Sequence, residues 1–261
     1  MGFEIFGYTI KMYGITISLA MLCAVAFACL NAKLRGLKSD DIILVALYAL
    51  PLAIVGARIY YVIFSGHAYT FLEALQIWKG GMAIYGGVIG GALGVGLWTI
   101  IHKKNFLAIA DVCAVSLILG QAIGRWGNFF NQEAYGTVVT NPSLQWFPFS
   151  VFIEKSATWH LATFFYESIW NLIVFAVLMI LIRKINVKGI ICGLYFILYG
   201  IGRMFIESLR TDSLMLGDFR VSQLVSFALI ILGTVLIVVV NQKNIKLNRK
   251  KIENISNRKI K

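Results

Sequence analysis

The sequence predicts an all-α fold, a polytopic integral membrane bundle of seven transmembrane helices, and three observations predict it. The composition is that of a chain dissolved in lipid: 59% of the 261 residues are hydrophobic and only 14% charged, against about 45–50% and about 25% in average globular chains. Mean hydropathy is +0.80. Seven apolar runs reach the roughly 17–25 residues needed to cross about 30 Å of hydrocarbon. Finally, the 24 Lys and Arg, which give a formal charge of +12, gather in alternate connections between those runs, as cytoplasmic loops do.

The runs lie near 12–32, 42–64, 82–101, 106–124, 164–182, 189–206 and 221–241. The first and last are featureless and read as plain anchors. The opening MGFEIFGYTIKMYG lacks the basic start and short apolar core of a removable signal peptide. Lys33, Arg35 and Lys38, then Lys103 and Lys104, then Arg183, Lys184 and Lys188, and eight more cations from Lys243 to Lys261 place sixteen of the 24 on one side. Only Asp40, Asp41 and Glu253 are acids there. That side is expected to be cytoplasmic, with the C-terminus inside and the N-terminus outside. Residues 125–163, between the fourth and fifth helices, become an external head-like segment of irregular structure and short helices, and 242–261 a basic cytoplasmic tail. The +12 charge is then a topology signal and gives no support to a nucleic-acid partner, which would need cations clustered on a folded surface. Cys23, Cys29, Cys113 and Cys192 fall inside the runs without C-x-x-C spacing, which marks buried apolar thiols.

An ionisable residue in a span costs about 2.5–3.5 kcal/mol even on insertion scales, so each is a functional candidate by default. Arg58 sits in the second run, Asp111 in the fourth, Glu167 in the fifth, and Arg203 with Glu207 in the sixth. Tyr199, Arg203, Glu207 and Arg210 share one helix face, so a phenol, two guanidiniums and a carboxylate lie together. Two readings are open: Arg203 and Glu207 neutralise each other inside the bundle, or a planar guanidinium there binds phosphate in bidentate fashion. The third run, GGMAIYGGVIGGALGVG, carries Gly86, Gly90 and Gly94 at G-x-x-x-G spacing, which predicts close helix packing, with Tyr85 between two glycine pairs. The densest polar cluster is GRWGNFFNQEAYG, Gly124 to Gly136. It cannot continue a lipid-facing helix without cost. It reads either as a solvated loop start or as an anion site, with Arg125 supplying charge, Asn128 and Asn131 orienting oxygens, and Glu133 fixing the Arg or a substrate hydroxyl.

That cluster resembles the signature of the prolipoprotein diacylglyceryl transferases, G-R-x-G-N-F-x-N-x-E-x-x-G, at every defined position. The resemblance runs through most of the chain in order: MYG at Tyr13, GARIYY around Arg58, GGMAIYGG around Tyr85, YES at Tyr166 and Glu167, and YGIGRMFIESLRTD from Tyr199 to Asp212. It implies one catalytic transmembrane domain over 1–261, in a bacterial plasma-membrane enzyme whose active site faces the outer leaflet. The implied reaction moves the diacylglyceryl group of phosphatidylglycerol to the lipobox cysteine thiol of a prolipoprotein, forming a thioether and releasing glycerol phosphate.

Position by position, the resemblance marks Tyr13, Arg125, Asn128, Gly136, Arg203 and Glu207 as functional, with Arg125 as a phospholipid-head ligand. One departure matters. Many members of that family carry His where this chain has Tyr85, and a phenol with pKa near 10 is a poor proton acceptor at neutral pH. The histidines present do not fill the gap: His67 lies in an external loop, His102 on the side expected to be cytoplasmic, and His160, beside the external segment, reads first as a solvated loop residue and second as a base. The thiol proton is expected to pass to water or the lipid phosphate near the arginines, whose field lowers the thiol pKa.

Displacement of phosphate by sulfur needs cations at the leaving group. The sequence has no His/Cys/Asp spacing of a metal site, and no cofactor is expected. Arg125 and Arg203 are therefore assigned as a phosphate clamp. Glu207, Asn128, Asn131, Glu133 and Gly136 are placed around it, Tyr13, Tyr85 and Tyr199 as hydrogen-bond partners, and Arg58 and Arg210 as further lipid-binding candidates. Buried Arg, Glu and Asp in seven spans would also fit a lipid or anion transporter, or a non-catalytic lipid-binding protein.

Overall fold

The computed structural model describes residues 2–5 and 8–259. A hairpin of β1 (Gly2–Ile5) and β2 (Tyr8–Lys11) leads into α1 (Met12–Asn31), followed by α2 (Ser39–Phe64), the one-turn α3 (Phe71–Ala74), α4 (Ile84–Ile101) and α5 (Phe106–Asn131). A second hairpin, β3 (Ser150–Ile153) and β4 (Thr158–Leu161), precedes α6 (Thr163–Lys184) and α7 (Ile190–Leu209). The short strands β5 (Met215–Leu216) and β6 (Phe219–Arg220) lead into α8 (Val221–Lys259). Among the described residues seven helices are long and apolar enough to cross a membrane, and large apolar side chains such as Leu22, Leu30, Ile63, Ile100 and Phe205 point outward. The chain is a multi-pass helical membrane protein.

Two expectations need correction. The fourth helix does not end near residue 124 but runs on to Asn131, because its polar residues face protein rather than lipid. A Cβ on Gly127 would meet the Tyr13 ring at 3.0 Å, and one on Gly124 would touch Ile17 at 3.5 Å. Nor is the segment after it only irregular. β3 and β4 pair antiparallel from Ser150↔Leu161 to Ile153↔Thr158, and Gly136 bridges to Arg210 while Val138 bridges to His160.

The chain divides into two compact units, residues 28–109 and residues 1–27 with 110–261. In the first, α2 and α4 pack backbone to backbone. A Cβ on Gly86 would collide with the Gly56 carbonyl, one on Gly90 with the Leu52 carbonyl, and one on Gly94 would lie 2.7 Å from Ala49 Cα. The G-x-x-x-G ridge is thus a packing seam, in which dispersion contact replaces the hydrophobic drive that lipid does not supply. Arg58 holds the connection from α2 to α4. Its Nε donates to the Ala74 carbonyl at 2.9 Å, one terminal nitrogen to Gly80 and Gly81 at 2.7 and 2.8 Å, and the other to Glu73 at 2.8 Å.

In the second unit, Ala114, Val115 and Ile118 of α5, Val174, Leu178 and Ile182 of α6, and Ile191, Cys192 and Tyr195 of α7 form one core. Asp111 explains the start of α7. Its fully buried carboxylate accepts from the backbone N–H of Gly189 and of Cys192, both at 2.9 Å. It thereby satisfies donors that every helix N-terminus leaves open and sits at the positive end of the helix dipole. This intramembrane acid is a helix cap supplied from another helix, and it sets the start of α7 beside the second turn of α5. Asp111→Ala should lower the stability of the detergent-solubilised protein by about 3 kcal/mol, the scale of losing charge-assisted bonds to buried donors. Asp111→Asn, which keeps one acceptor, should lose less. Thermal unfolding of both variants checks the order, and an unchanged midpoint for Asp111→Ala would contradict the cap.

Candidate active site

The second unit's three central helices each bring a charged or phenolic side chain to one level. α5 supplies Arg125, α6 supplies Glu167, and α7 supplies Tyr199 and Arg203. Glu167 stands between the arginines, with Oε1 2.7 Å from an Arg125 terminal nitrogen and Oε2 2.9 Å from one of Arg203. The Glu167 side chain is only 4% exposed. Both carboxylate oxygens are therefore engaged by cations from different helices, and a single acid spaces the two guanidiniums. Arg125 is also approached by the Tyr199 hydroxyl, while the Tyr195 and Tyr199 rings stack at 5.7 Å.

The charge line continues along α7. Arg203 reaches Glu207 Oε2 at 2.6 Å, four residues on, and donates to Ser222 at the start of α8 at 3.4 Å. Glu207 Oε2 lies 3.9 Å from Arg210 Nε, and Arg210 pairs with Asp212 at 2.9 Å. Arg220 donates to the backbone carbonyl of Glu207. Three guanidiniums, Arg125, Arg203 and Arg210, thus meet three carboxylates, Glu167, Glu207 and Asp212, and Arg220 adds a fourth cation held by a backbone carbonyl. Arg203 and Glu207 do pair, but as one link in this line rather than as a self-contained neutral couple.

The signature segment wraps over the end of that line. Ala134 N–H donates to Asp212 Oδ2 at 3.1 Å and Gly136 N–H to the Leu161 carbonyl at 2.9 Å. A Cβ on Gly136 would sit 2.8 Å from Leu161 Cβ and 2.9 Å from the Leu209 carbonyl, so the strand passes where only glycine fits. Asn128 donates to Glu133 at 2.8 Å, which makes Glu133 the partner of an amide rather than of a guanidinium. Tyr13 lies against Gly127 and within electrostatic reach of Glu133 and Arg125. Asn131 is exposed at the end of α5 and lines a separate cleft of about 460 Å³ with Lys11, Gln132, Glu154 and Lys155.

The remaining sequence candidates lie elsewhere. Tyr85 and Arg58 belong to the 28–109 unit. Tyr85 is the second residue of α4, half-buried, with its ring 6.3 Å from that of Tyr60. Arg58 commits four N–H bonds to loop carbonyls, which makes it the organiser of that loop. His160 is buried, with Nδ1 2.8 Å from the Gly136 carbonyl and Nε2 2.9 Å from the Thr158 hydroxyl. Both ring nitrogens serve the head segment's own hydrogen bonding, and the position gives no support to a base role.

Sequence reasoning flagged Glu167 as an intramembrane acid but gave it no place in the site, and it passed over Asp212 and Arg220. A signal was present for Glu167. It has no Lys or Arg within four residues on its own helix, so a buried acid there needs cations from other helices.

The family model described as prolipoprotein diacylglyceryl transferase matches residues 1–239. The phosphatidylglycerol–prolipoprotein diacylglyceryl transferase of Clostridium novyi is 44% identical over 248 residues, covering 93% of this chain and 96% of its own length. That of Clostridium botulinum strain Loch Maree is 46% identical over 237 residues, covering 88% and 92%. A Clostridium perfringens relative of the same name is 43% identical over 245 residues, covering 91% and 93%. With the signature intact and the match extending over nearly all of its length, the chain belongs to the prolipoprotein diacylglyceryl transferase family.

Proposed function

We propose that this protein transfers the diacylglyceryl group of phosphatidylglycerol to the cysteine thiol of a bacterial prolipoprotein, and that the Arg125–Glu167–Arg203 arrangement is where the phospholipid head is held. The observation that carries the reading is the bridging carboxylate. Two arginines brought this close would repel, and Glu167 fixes their spacing; on this reading the donors they have left serve one anion.

The chemistry follows from the charges. The thiol sulfur attacks the glycerol carbon that bears phosphate, the C–S bond forms as the C–O bond breaks, and the electron pair of that bond leaves on the phosphate oxygen. The thiol proton ends on the released glycerol phosphate, directly or through water. Arg125 and Arg203 stabilise the charge that grows on the leaving group, the largest single contribution expected in such a site. Their field also favours the thiolate. Glu207 and Ser222 orient Arg203, Asn128 and Glu133 brace the signature turn beside Tyr13, Arg210 ties the end of α7 to the head segment, and Gly136 lets that segment approach. Tyr199 orients Arg125, and Asn131 is set on the approach to the head segment.

The orientation proposed is external for this end of the bundle. α5 ends, α6 begins and α7 ends there, while the basic connection with Arg183, Lys184 and Lys188 and the basic tail lie at the opposite ends of the helices. That distribution favours a plasma-membrane enzyme open to the outer leaflet.

The direct test mixes purified protein with phosphatidylglycerol and a lipobox peptide. Thioether-linked peptide and glycerol phosphate are expected in equal amounts, whereas movement of intact lipid alone would indicate a transporter. Arg125→Lys and Arg203→Lys keep the charge but lose the fork, and each should lower kcat by about 10²–10³-fold, the scale of removing a leaving-group donor. Full turnover in both folded variants would contradict the clamp. Tyr85→Phe should cost less than about tenfold. A loss on the order of 10²–10⁴-fold, the range of general acid–base catalysis, would instead make the phenol a proton carrier.

A further inference from the structure

Beneath the ionic line lies a second polar layer that the transfer chemistry does not use. Asn171 is fully buried in α6, and neither its Oδ1 nor its Nδ2 meets a protein partner. Gln121 of α5 donates to the Tyr195 hydroxyl of α7 at 3.0 Å, and its own Oε1 is buried without a partner. Leaving such groups unpaired in hydrocarbon is costly, so natural bundles keep them where they serve a ligand.

Their placement is systematic. Gln121 is four residues from Arg125, Asn171 four from Glu167, and Tyr195 four from Tyr199. α6 runs opposite to α5 and α7, so all three offsets point the same way along the bundle, about 6 Å deeper at 1.5 Å per residue. Cross-links between the helices fix that level. Ser168 donates to the Ala122 carbonyl at 2.8 Å, Trp170 to the Leu198 carbonyl at 3.0 Å, and Val174 packs in the core with Ile118 and Tyr195. Asn171 therefore lies between the ionic layer and the dry core, level with Gln121.

We propose that Asn171 and Tyr195, with Gln121 behind them, form a neutral subsite that binds the ester carbonyls of the donor lipid. This rests on the phospholipid reading of the ionic layer above it. With the phosphate on Arg125 and Arg203, the two glycerol carbons that carry the ester linkages hang a few bonds deeper, at the level of the second layer. Ester carbonyls only accept hydrogen bonds. The uncommitted donors there are the Asn171 amide hydrogens and the Tyr195 O–H, whose oxygen already accepts from Gln121. The amide oxygens of Gln121 and Asn171 are left for water that accompanies the head group. The subsite would select acyl esters and hold the reacting carbon in line below the phosphate, which makes Asn171 a positioning residue.

The test compares diester phosphatidylglycerol with its diether analogue, which lacks both carbonyls. The matrix is diether phosphatidylcholine, so that the donor is the only ester present. The wild-type protein should favour the diester by about tenfold in kcat/KM, the scale of one neutral hydrogen bond in a buried site. Asn171→Leu and Tyr195→Phe should each lower that ratio part of the way, the double variant should bring it to about one, and Asn171→Leu should melt no lower than wild type because it removes unpaired buried polar atoms. Retention of each lipid on the purified protein, read by native mass spectrometry, makes the same comparison without turnover and should show the same preference. A wild-type ratio of one, or a preference undiminished in the double variant Asn171→Leu/Tyr195→Phe, would mean that the layer holds water alone and would overturn the proposal. Selective retention of the diester without thioether formation would support the subsite and contradict the transfer reading instead.

Discussion

Glu167 sits within the membrane span of α6, with an arginine from α5 on one oxygen and an arginine from α7 on the other. Each of these three charges alone would cost about 2.5–3.5 kcal/mol to place in a bilayer. Together they are mutually compensated, and removing Glu167 strips Arg125 of its carboxylate and leaves Arg203 to Glu207, a loss on the order of 3–5 kcal/mol. The three helices are consequently locked in rotation and register at this level. Tyr199, Glu207, Arg210 and the head segment take their places from that lock. At the other end of the same helices, Asp111 performs a comparable service by capping α7 from α5, so the alignment of α5 and α7 is fixed twice. Between these two polar ties lies the apolar core, and at its upper edge, where Tyr195 belongs to it, Gln121 and Asn171 stand below the ionic line.

A site of this kind suits a reaction whose difficulty is a departing phosphate. The cationic groups are oriented before substrate arrives, because their counter-charges are part of the fold, so no reorganisation is needed as charge develops. The same arrangement discriminates by geometry. A guanidinium held by a carboxylate on one side presents its remaining donors in a fixed plane, which an ammonium on a flexible stem cannot do. The unit formed by residues 28–109 is built differently, by a glycine seam between α2 and α4 and an arginine that gathers loop carbonyls. There the arginine, Arg58, organises backbone.

Much of this was legible in the sequence, because lipid imposes strong patterns. Span length, the glycine period and the placement of Lys and Arg each follow from a bilayer constraint, and seven helices form close to where the apolar runs fall. The G-R-W-G-N signature was legible as a polar cluster but not as helix: Arg125 looks like a stop until Glu167, 42 residues on, is known to receive it. The Asp111 cap was illegible for the same reason, since its donors lie 78 and 81 residues away. The β3–β4 hairpin was written in two short runs, SVFI and TWHL, around the turn EKSA, but its flanking prolines and glycine favour irregular structure equally well. Pairings between distant helices decide the site, and local periodicity carries no record of them.

The bridging role of Glu167 is most directly tested by Glu167→Gln, which keeps shape and size but removes the charge that holds Arg125 and Arg203 at one spacing. Turnover on phosphatidylglycerol and a lipobox peptide, measured beside the thermal midpoint of the same preparation, should fall by at least about a hundredfold in protein that still folds, on the scale of losing preorganised leaving-group stabilisation. Wild-type turnover in folded Glu167→Gln would contradict the account, because the two arginines would then need no shared carboxylate to act.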